Sequence, residues 1–290
     1  MVFSRPVDEI IRERFSCRTY AEKPIEAETR QRLQAYMAPL RAGPLGAPVR
    51  FELLAATEQD TRSLKGLGTY GFIKGATGFI VGAAGAGPKN LEDYGYVLER
   101  IILLATDLGL GTCWLGGTFT KSTFAEKIAA QAGELLPAVV SVGYIANVAQ
   151  ARNSLMRRRI GADQRLPWQD LFFNETFRAP LTTVEAGAYA MPLEMLRLGP
   201  SASNKQPWRT VRSGAAWHFY LQRTPGYRQG ILQRFVKVDD IQRVDLGIAM
   251  CHFELAAQKL NLTGQWVVEE PSIGKPDERT EYAVSWVPAV

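Results

Sequence analysis

Three stretches hold residues able to grip or transform a ligand. In Arg14-Phe-Ser-Cys-Arg18, the residues Arg14, Ser16 and Arg18 alternate along the chain. An extended backbone would point all three to one side. Two guanidiniums and a hydroxyl on one side suit a phosphate or another anion, because Arg offers paired planar donors. A solvated charged turn is the plainer alternative. In Pro200-Ser-Ala-Ser-Asn-Lys-Gln-Pro-Trp208, small hydroxyl and amide residues sit between two prolines. The prolines fix a loop, and Ser and Asn supply donors and acceptors that can replace water around a polar ring or chain. Trp208 is expected to anchor that loop in the core. In Gly109-Leu-Gly-Thr-Cys-Trp-Leu-Gly-Gly117, the glycines let backbone approach a flat ligand closely. This is not a dinucleotide fingerprint, since no predicted strand precedes it and no helix begins within it.

Other chemistries find little support. Only His218 and His252 are present, and both read as structural, one in a strand and one on a helix. Cys17, Cys113 and Cys251 are widely spaced, odd in number and form no CxxC pair. That argues against a disulfide framework and a zinc site and fits a reducing cytoplasm. No metal site is predicted. The net charge is +5, but the basic residues are scattered apart from Arg157, Arg158 and Arg159, and no nucleic-acid module accompanies them. Residues 1–15 lack the apolar core of a signal peptide, and no charge-free apolar run reaches membrane-spanning length.

The elements that must position these stretches follow from periodicity. Helices are predicted over Val7–Phe15, Glu26–Tyr36 and Asp93–Leu108, the last ended by Gly109. Strands are predicted over Val49–Ala55, Thr77–Ala83 and Ala138–Ile145. A second series follows: helix Val184–Leu198, strands Arg209–Val211 and Ala216–Gln222, helix Ile241–Leu260, strands Gln265–Glu270 and Tyr282–Val287. Helices and strands mix without regular βαβ alternation, which predicts an α+β layered sandwich.

The two series are copies of one unit. Leu40-Arg-Ala-Gly-Pro44 recurs as Leu196-Arg-Leu-Gly-Pro200, 156 positions later, and Leu103–Trp114 matches Leu255–Trp266 in kind at an offset of 152. The expected halves are 1–172 and 173–290. At an offset of 156 the counterpart of Arg14, Ser16 and Arg18 is Asp170, Phe172 and Asn174. The counterpart of the Pro200–Asn204 loop is Pro44-Leu-Gly-Ala-Pro48. Each half thus lacks the piece that the other retains.

Together, R-x-S-x-R, P-S-x-x-N-x-Q-P-W and a helix ending in G-L-G-x-x-W-L-G-G resemble the FMN-dependent nitroreductase family. More narrowly, the chain resembles single-chain members with two fused half-units, the TM nitroreductase type. The resemblance spans most of the chain. It implies a nitroreductase-like layered α/β/α sandwich, duplicated as a pseudo-dimer within one chain.

It also implies a site. Arg14, Ser16 and Arg18 would contact the phosphate, the ribityl chain and the N1/O2 side of FMN. Leu115, Gly116 and Gly117 would follow its N5 edge, and Arg165 of Arg165-Leu-Pro167 would add a cation. Pro200, Ser201, Ala202, Ser203 and Asn204 would face the flavin from the other half. Lys74 is the nearest candidate for a further polar contact. Arg157–Arg159 either add to the phosphate field or are surface charge. The implied activity is reduction by NADH or NADPH of an electron-poor acceptor, a nitroaromatic or quinone, with the chemistry supplied by the flavin and no catalytic side chain. The alternatives are flavin fragmentation, reductive dehalogenation or flavin storage on the same fold, or a relic without cofactor. A cytoplasmic monomer with one FMN, and neither nucleic acid nor membrane as partner, is the expected state.

Overall fold

The structure is a computed structural model, and it describes residues 2–60, 64, 67–227 and 239–289. Two sheets share one plan. In the first, the order is β1 (Val49–Ala55), β2 (Gly78–Ala84), β4 (Val139–Gly143), β3 (Gly111–Leu115), all antiparallel. In the second, β6 (Trp208–Ser213), β7 (Ala216–Gln222), β9 (Thr280–Pro288) and β8 (Gly264–Val267) follow the same order with the same antiparallel pairing. A short β5 (Phe172–Asn174) adds to the β6 edge in parallel. One long helix lies in the chain between β2 and β3 in the first half, α3 (Asn90–Asp107), and another between β7 and β8 in the second, α9 (Ile241–Lys259). The chain is therefore an internally duplicated α+β sandwich.

The sheet of the first half is covered on both faces. Ile80 and Val140 pack with α3, while Phe79, Val81, Leu115 and Val139 pack with Phe124 of α4 (Lys121–Lys127). Alternate residues of one strand thus enter opposite layers, as the strand period requires. This is why β2 reads as a continuous apolar run.

The halves meet along α3 and α9, which make the most extensive helix–helix contact of the fold. The crossing is at glycines. A Cβ on Gly95 would strike the carbonyl of Val244, and one on Gly247 would strike the carbonyl of Glu92. Gly95 and Gly247 are 152 positions apart, the offset of the repeat. The repeat thus places its smallest residue at the pseudo-twofold crossing of both copies. Around this crossing Tyr96 donates to Glu254 (2.7 Å), and Arg243 grips Glu92.

Several elements differ from the sequence expectation. Gly111–Leu115, assigned to no element from the sequence, is a strand: Gly109 takes φ +78° after α3, and Thr112-Cys-Trp then pair with β4. The single helix expected over Val184–Leu198 is broken at Gly187 (φ +55°) into α7 (Thr183–Ala186) and α8 (Ala190–Arg197), with a 3-10 turn between them. The short helices α5 (Val148–Arg152) and α6 (Leu155–Arg159) fill a segment left unassigned. The helices α1 (Val7–Glu13) and α2 (Ala27–Met37) fall close to where the periodicity puts them.

One correspondence is corrected. Ser16 lies against Thr112 of β3, whereas Phe172 pairs with Thr210 of β6, the counterpart of β1. Asp170, Phe172 and Asn174 are therefore not a decayed copy of Arg14, Ser16 and Arg18. Among the described residues, no helix of the second half stands in the place of α1, so that motif exists in one copy. The Pro44–Pro48 loop, in contrast, does stand where Pro200–Asn204 stands, each just before the first antiparallel strand of its half.

Candidate active site

The site grows from the end of α1. Arg14 leaves the helix with ψ 130°, and the chain runs extended beside β3: Ser16 bridges Thr112, and Cys17 donates to the Thr112 carbonyl (2.8 Å). Thr19 and Lys74 bridge next, with Lys74 N–H donating to Arg18 O (2.9 Å). This is the extended course that puts Arg14, Ser16 and Arg18 on one side, and Cys17 is correspondingly in the core.

Arg14 is nearly buried. Its Nε lies 3.6 Å from Glu99 Oε1, and neither Nε nor Nη1 has a hydrogen-bond partner. Glu99 is already engaged by Trp114 Nε1 (2.8 Å) and His252 Nε2 (2.9 Å). His252 Nδ1 faces the Met195 carbonyl at 2.9 Å, so it donates there. A residue of α9 thus fixes the acid beside a cation of the first half. Arg18 also has a buried Nη1 without a partner.

Arg165 stands across from Arg14. It donates to the carbonyls of Ala162 (2.8 Å), Gln164 (2.8 Å) and Leu198 (3.1 Å), and reaches Asn204 Oδ1 at 3.4 Å. Its Nε has no partner. Burial, with Arg14 adding like-charge repulsion, pushes it down to about 10. It remains a cation at neutral pH. Arg157 pairs with Asp163 and donates to the Arg152 carbonyl, and both Arg152 and Arg157 lie over the Phe15 ring. Of the three tandem arginines, only Arg157 is buried. The result is a cavity of about 260 Å³ lined by Arg12, Arg14, Arg152, Arg157 and Arg165 against a single acid, Asp163. Guanidinium N–H groups buried without acceptors are costly unless an anion completes them. The donor set fits a phosphate.

The second half brings the loop. Ser203, Asn204 and Gln206 adopt φ of 50°, 55° and 49°, a conformation that non-glycine residues hold only under constraint. The constraints are visible. Gln206 N donates to Ser201 Oγ (2.9 Å), Ala202 N to Asp245 Oδ1 (2.9 Å), and Leu166 N to Gln206 Oε1 (2.9 Å). Asn204 Nδ2 donates to the carbonyls of Gly161 (2.6 Å) and Gln164 (3.0 Å). The loop of one half therefore locks onto the turn that carries Arg165 of the other. Pro200 leads into this loop, and Trp208 is fully buried behind it.

The glycine segment completes the outline. Leu115 ends β3 in the core, Gly116 is backed by Ile241 at the start of α9 (3.3 Å from a Cβ position), and a Cβ on Gly117 would meet nothing within 4 Å. Cys113 is wholly buried, and burial raises its thiol pKa, so it is no thiolate nucleophile. His218 sits in β7 beside Ser285 Oγ (2.7 Å) and His252 in the helix network, both away from a nucleophile's role. Among the described residues, no acid or thiol cluster could hold a metal ion, and no helix is long and apolar enough to cross a membrane.

Sequence reasoning missed Glu99, Arg152, Asp163 and Asp245. Asp245 had a signal: Asp93 precedes it by the repeat offset, and both face a loop. Glu99 had none, since a buried acid in an apolar helix face shows its partners only once the fold is closed.

Two sheets of one topology, joined at paired central helices with an arginine-lined seam between them, define a duplicated nitroreductase fold. A model of the family described as "Putative TM nitroreductase" matches residues 7–257, and this chain belongs to that family. Among solved structures, a nitroreductase from Thermotoga maritima is similar over 98% of this chain and 94% of its own, at 18% identity and TM-score 0.59. That likeness concerns the fold. A nitroreductase family protein from Clostridium difficile (18% identity, TM-score 0.40) covers 55% of this chain and 92% of its own. A nitroreductase from Desulfovibrio desulfuricans, crystallised in complex with FMN (22% identity, TM-score 0.39), covers 50% and 88%. No curated protein sequence matches the chain significantly.

Proposed function

We propose that the chain is an FMN-dependent oxidoreductase, with one cofactor in the seam between halves 1–172 and 173–290. The observation that carries this is the cluster of guanidiniums lining one cavity of about 260 Å³, two of which, Arg14 and Arg165, have buried N–H groups lacking an acceptor. Arg14, Ser16 and Arg165, with Arg157 and Arg152 alongside, would hold the phosphate. Arg18, Lys74 and the Leu115–Gly117 backbone would border the ring system, and Pro200–Asn204 would close it from the second half. When bound, FMN would supply two-electron hydride chemistry between NADH or NADPH and an electron-poor acceptor such as a nitroaromatic or quinone.

The protein's own part is orientation and charge. Arg18 provides a cation that favours negative charge developing on a ring beside it, by attraction in a partly buried site. Gly117 leaves its flank free of side-chain bulk, so a flat ligand can approach backbone. No proton-transfer side chain is needed, in keeping with two histidines committed to structure. The test is the visible spectrum of the purified protein before and after anaerobic nucleotide addition. The account expects a flavin spectrum bleached by NADH or NADPH. A bound flavin that neither nucleotide bleaches would replace this reading with a flavin-binding role of another kind. A colourless protein that takes up no FMN would remove it.

A further inference from the structure

The two central helices each carry an aspartate at the same place, Asp93 on α3 and Asp245 on α9, 152 positions apart. Both are buried. Each reaches the loop that precedes the first antiparallel strand of its half. Asp93 accepts from Leu45 N (2.8 Å) with Oδ1 and from Ala47 N (2.7 Å) with Oδ2. Asp245 accepts from Ala202 N (2.9 Å) with Oδ1, and its buried Oδ2 has no partner. The same device is thus complete in one half and left open in the other.

The open one lies where the ligand is expected. One turn before Asp245, Ile241 backs Gly116 of the first half; one turn after it, Ile248 packs at Gly199, which leads into the second half's loop. This face of α9 therefore spans the two strips that would bracket the flavin. The charge state also differs. Two N–H donors support a carboxylate at Asp93, although burial lifts it to about 6. Asp245 has one donor, and burial, with Asp240 adding repulsion, raises it well above the carboxylate range. Among the described residues, Tyr227 is a further titratable group near it. The two backbone donors favour the ionised form at Asp93, whereas burial favours the neutral acid at Asp245, a form in which the unpartnered oxygen carries an O–H to donate.

We propose that Asp245 is a ligand-site residue with two tasks: Oδ1 positions the Pro200–Asn204 loop through Ala202, and Oδ2, as O–H, donates to an acceptor on the flavin that the loop holds. Asp93 performs the first task only. This rests on the FMN reading above.

The same substitution at both aspartates separates the roles. Asn keeps a carbonyl acceptor and puts an N–H donor in place of the second oxygen. At 245 that reproduces the acid form; at 93 it sets an N–H against the Ala47 N–H. The apoprotein of each variant is titrated with FMN by fluorescence quenching and melted without FMN. Asp245→Asn should bind FMN within about threefold of wild type, while Asp245→Ala should lose about tenfold or more. Asp93→Asn should lower the apoprotein melting temperature and leave FMN affinity unchanged. Wild-type affinity in Asp245→Ala would reduce Asp245 to a structural residue, and equal losses in Asp245→Asn and Asp245→Ala would contradict the donor. Wild-type apoprotein that takes up no FMN would overturn the functional reading and this proposal with it.

Discussion

Gly247→Ala probes the contact on which the composite site depends. In an isolated helix the change would stabilise by about 0.5–1 kcal/mol, because Gly pays more backbone entropy than Ala. Here the new methyl would overlap the Glu92 carbonyl and lie 2.7 Å from Tyr96 N. Carbon meets non-bonded atoms comfortably at about 3.5–4.0 Å, so α3 and α9 must part by about 1.5 Å. Overpacking of that kind costs about 1–3 kcal/mol. Backbone cannot rotate away as a side chain can, so the cost belongs at the upper end. The balance is a loss of about 2 kcal/mol, or a fall of about 3–4 °C in melting temperature at the usual entropy scaling for a chain of this length. Thermal melting of the apoprotein by circular dichroism reads this directly. Gly95→Ala should behave alike, since its methyl meets the Val244 carbonyl. The double variant should lose less than the sum, because helices already parted admit the second methyl. An Ala variant at 247 that melts at or above the wild-type temperature would refute the close crossing.

Three further outcomes follow from the site and the surface. Arg14→Ala should weaken FMN binding by about tenfold or more, the value of one charge-assisted hydrogen bond, read by fluorescence titration; unchanged affinity would place the phosphate elsewhere. Cys113→Ala should keep turnover within about threefold, since a buried neutral thiol acts as a small apolar group; a loss of about a hundredfold with FMN still bound would point to thiol chemistry. Arg50 grips Glu134 with Nε (2.8 Å) and Nη2 (2.7 Å), and this hydrogen bonding holds the Glu134 carboxyl below its ordinary value. Its contribution is therefore present above the ordinary carboxylate range and lost as pH falls through the depressed folded value. Glu134→Gln should cost about 0.5–1 kcal/mol near neutral pH, after solvent screening, and almost nothing at about pH 2; an equal loss at both would deny the ion pair.

Much of this was legible before any coordinates. The apolar periodicity of Val97–Ala105 and the β-branched run of Ile80-Val81 announce a central helix and a two-faced strand, because burial repeats with the backbone period. The repeat was visible because duplicated cores keep leucines and tryptophans at matched places. The alternation of Arg14, Ser16 and Arg18 anticipated an extended course, and the chain does run extended there beside β3. What escaped depends on distant partners. Gly111–Leu115 carries no clear strand signal because glycines flank it, yet pairing with β4 decides its state, and strand propensity yields to such tertiary context. Constant offsets misled at Asp170–Asn174, since an offset carries no register once a helix is absent from one copy. Glu99 and Asp163 acquire meaning only when α9 and the 161–165 turn close on them.

The central claim is one FMN held by both halves of one chain. Flavin released by denaturation, counted against protein concentration while light scattering gives the mass, tests it most directly. The account predicts one equivalent of FMN per chain in a monomer, because Arg14, Ser16 and Arg18 occur in one copy and the Pro200–Asn204 loop in the other. Two equivalents per chain, or flavin bound only by an assembly of two chains, would contradict it.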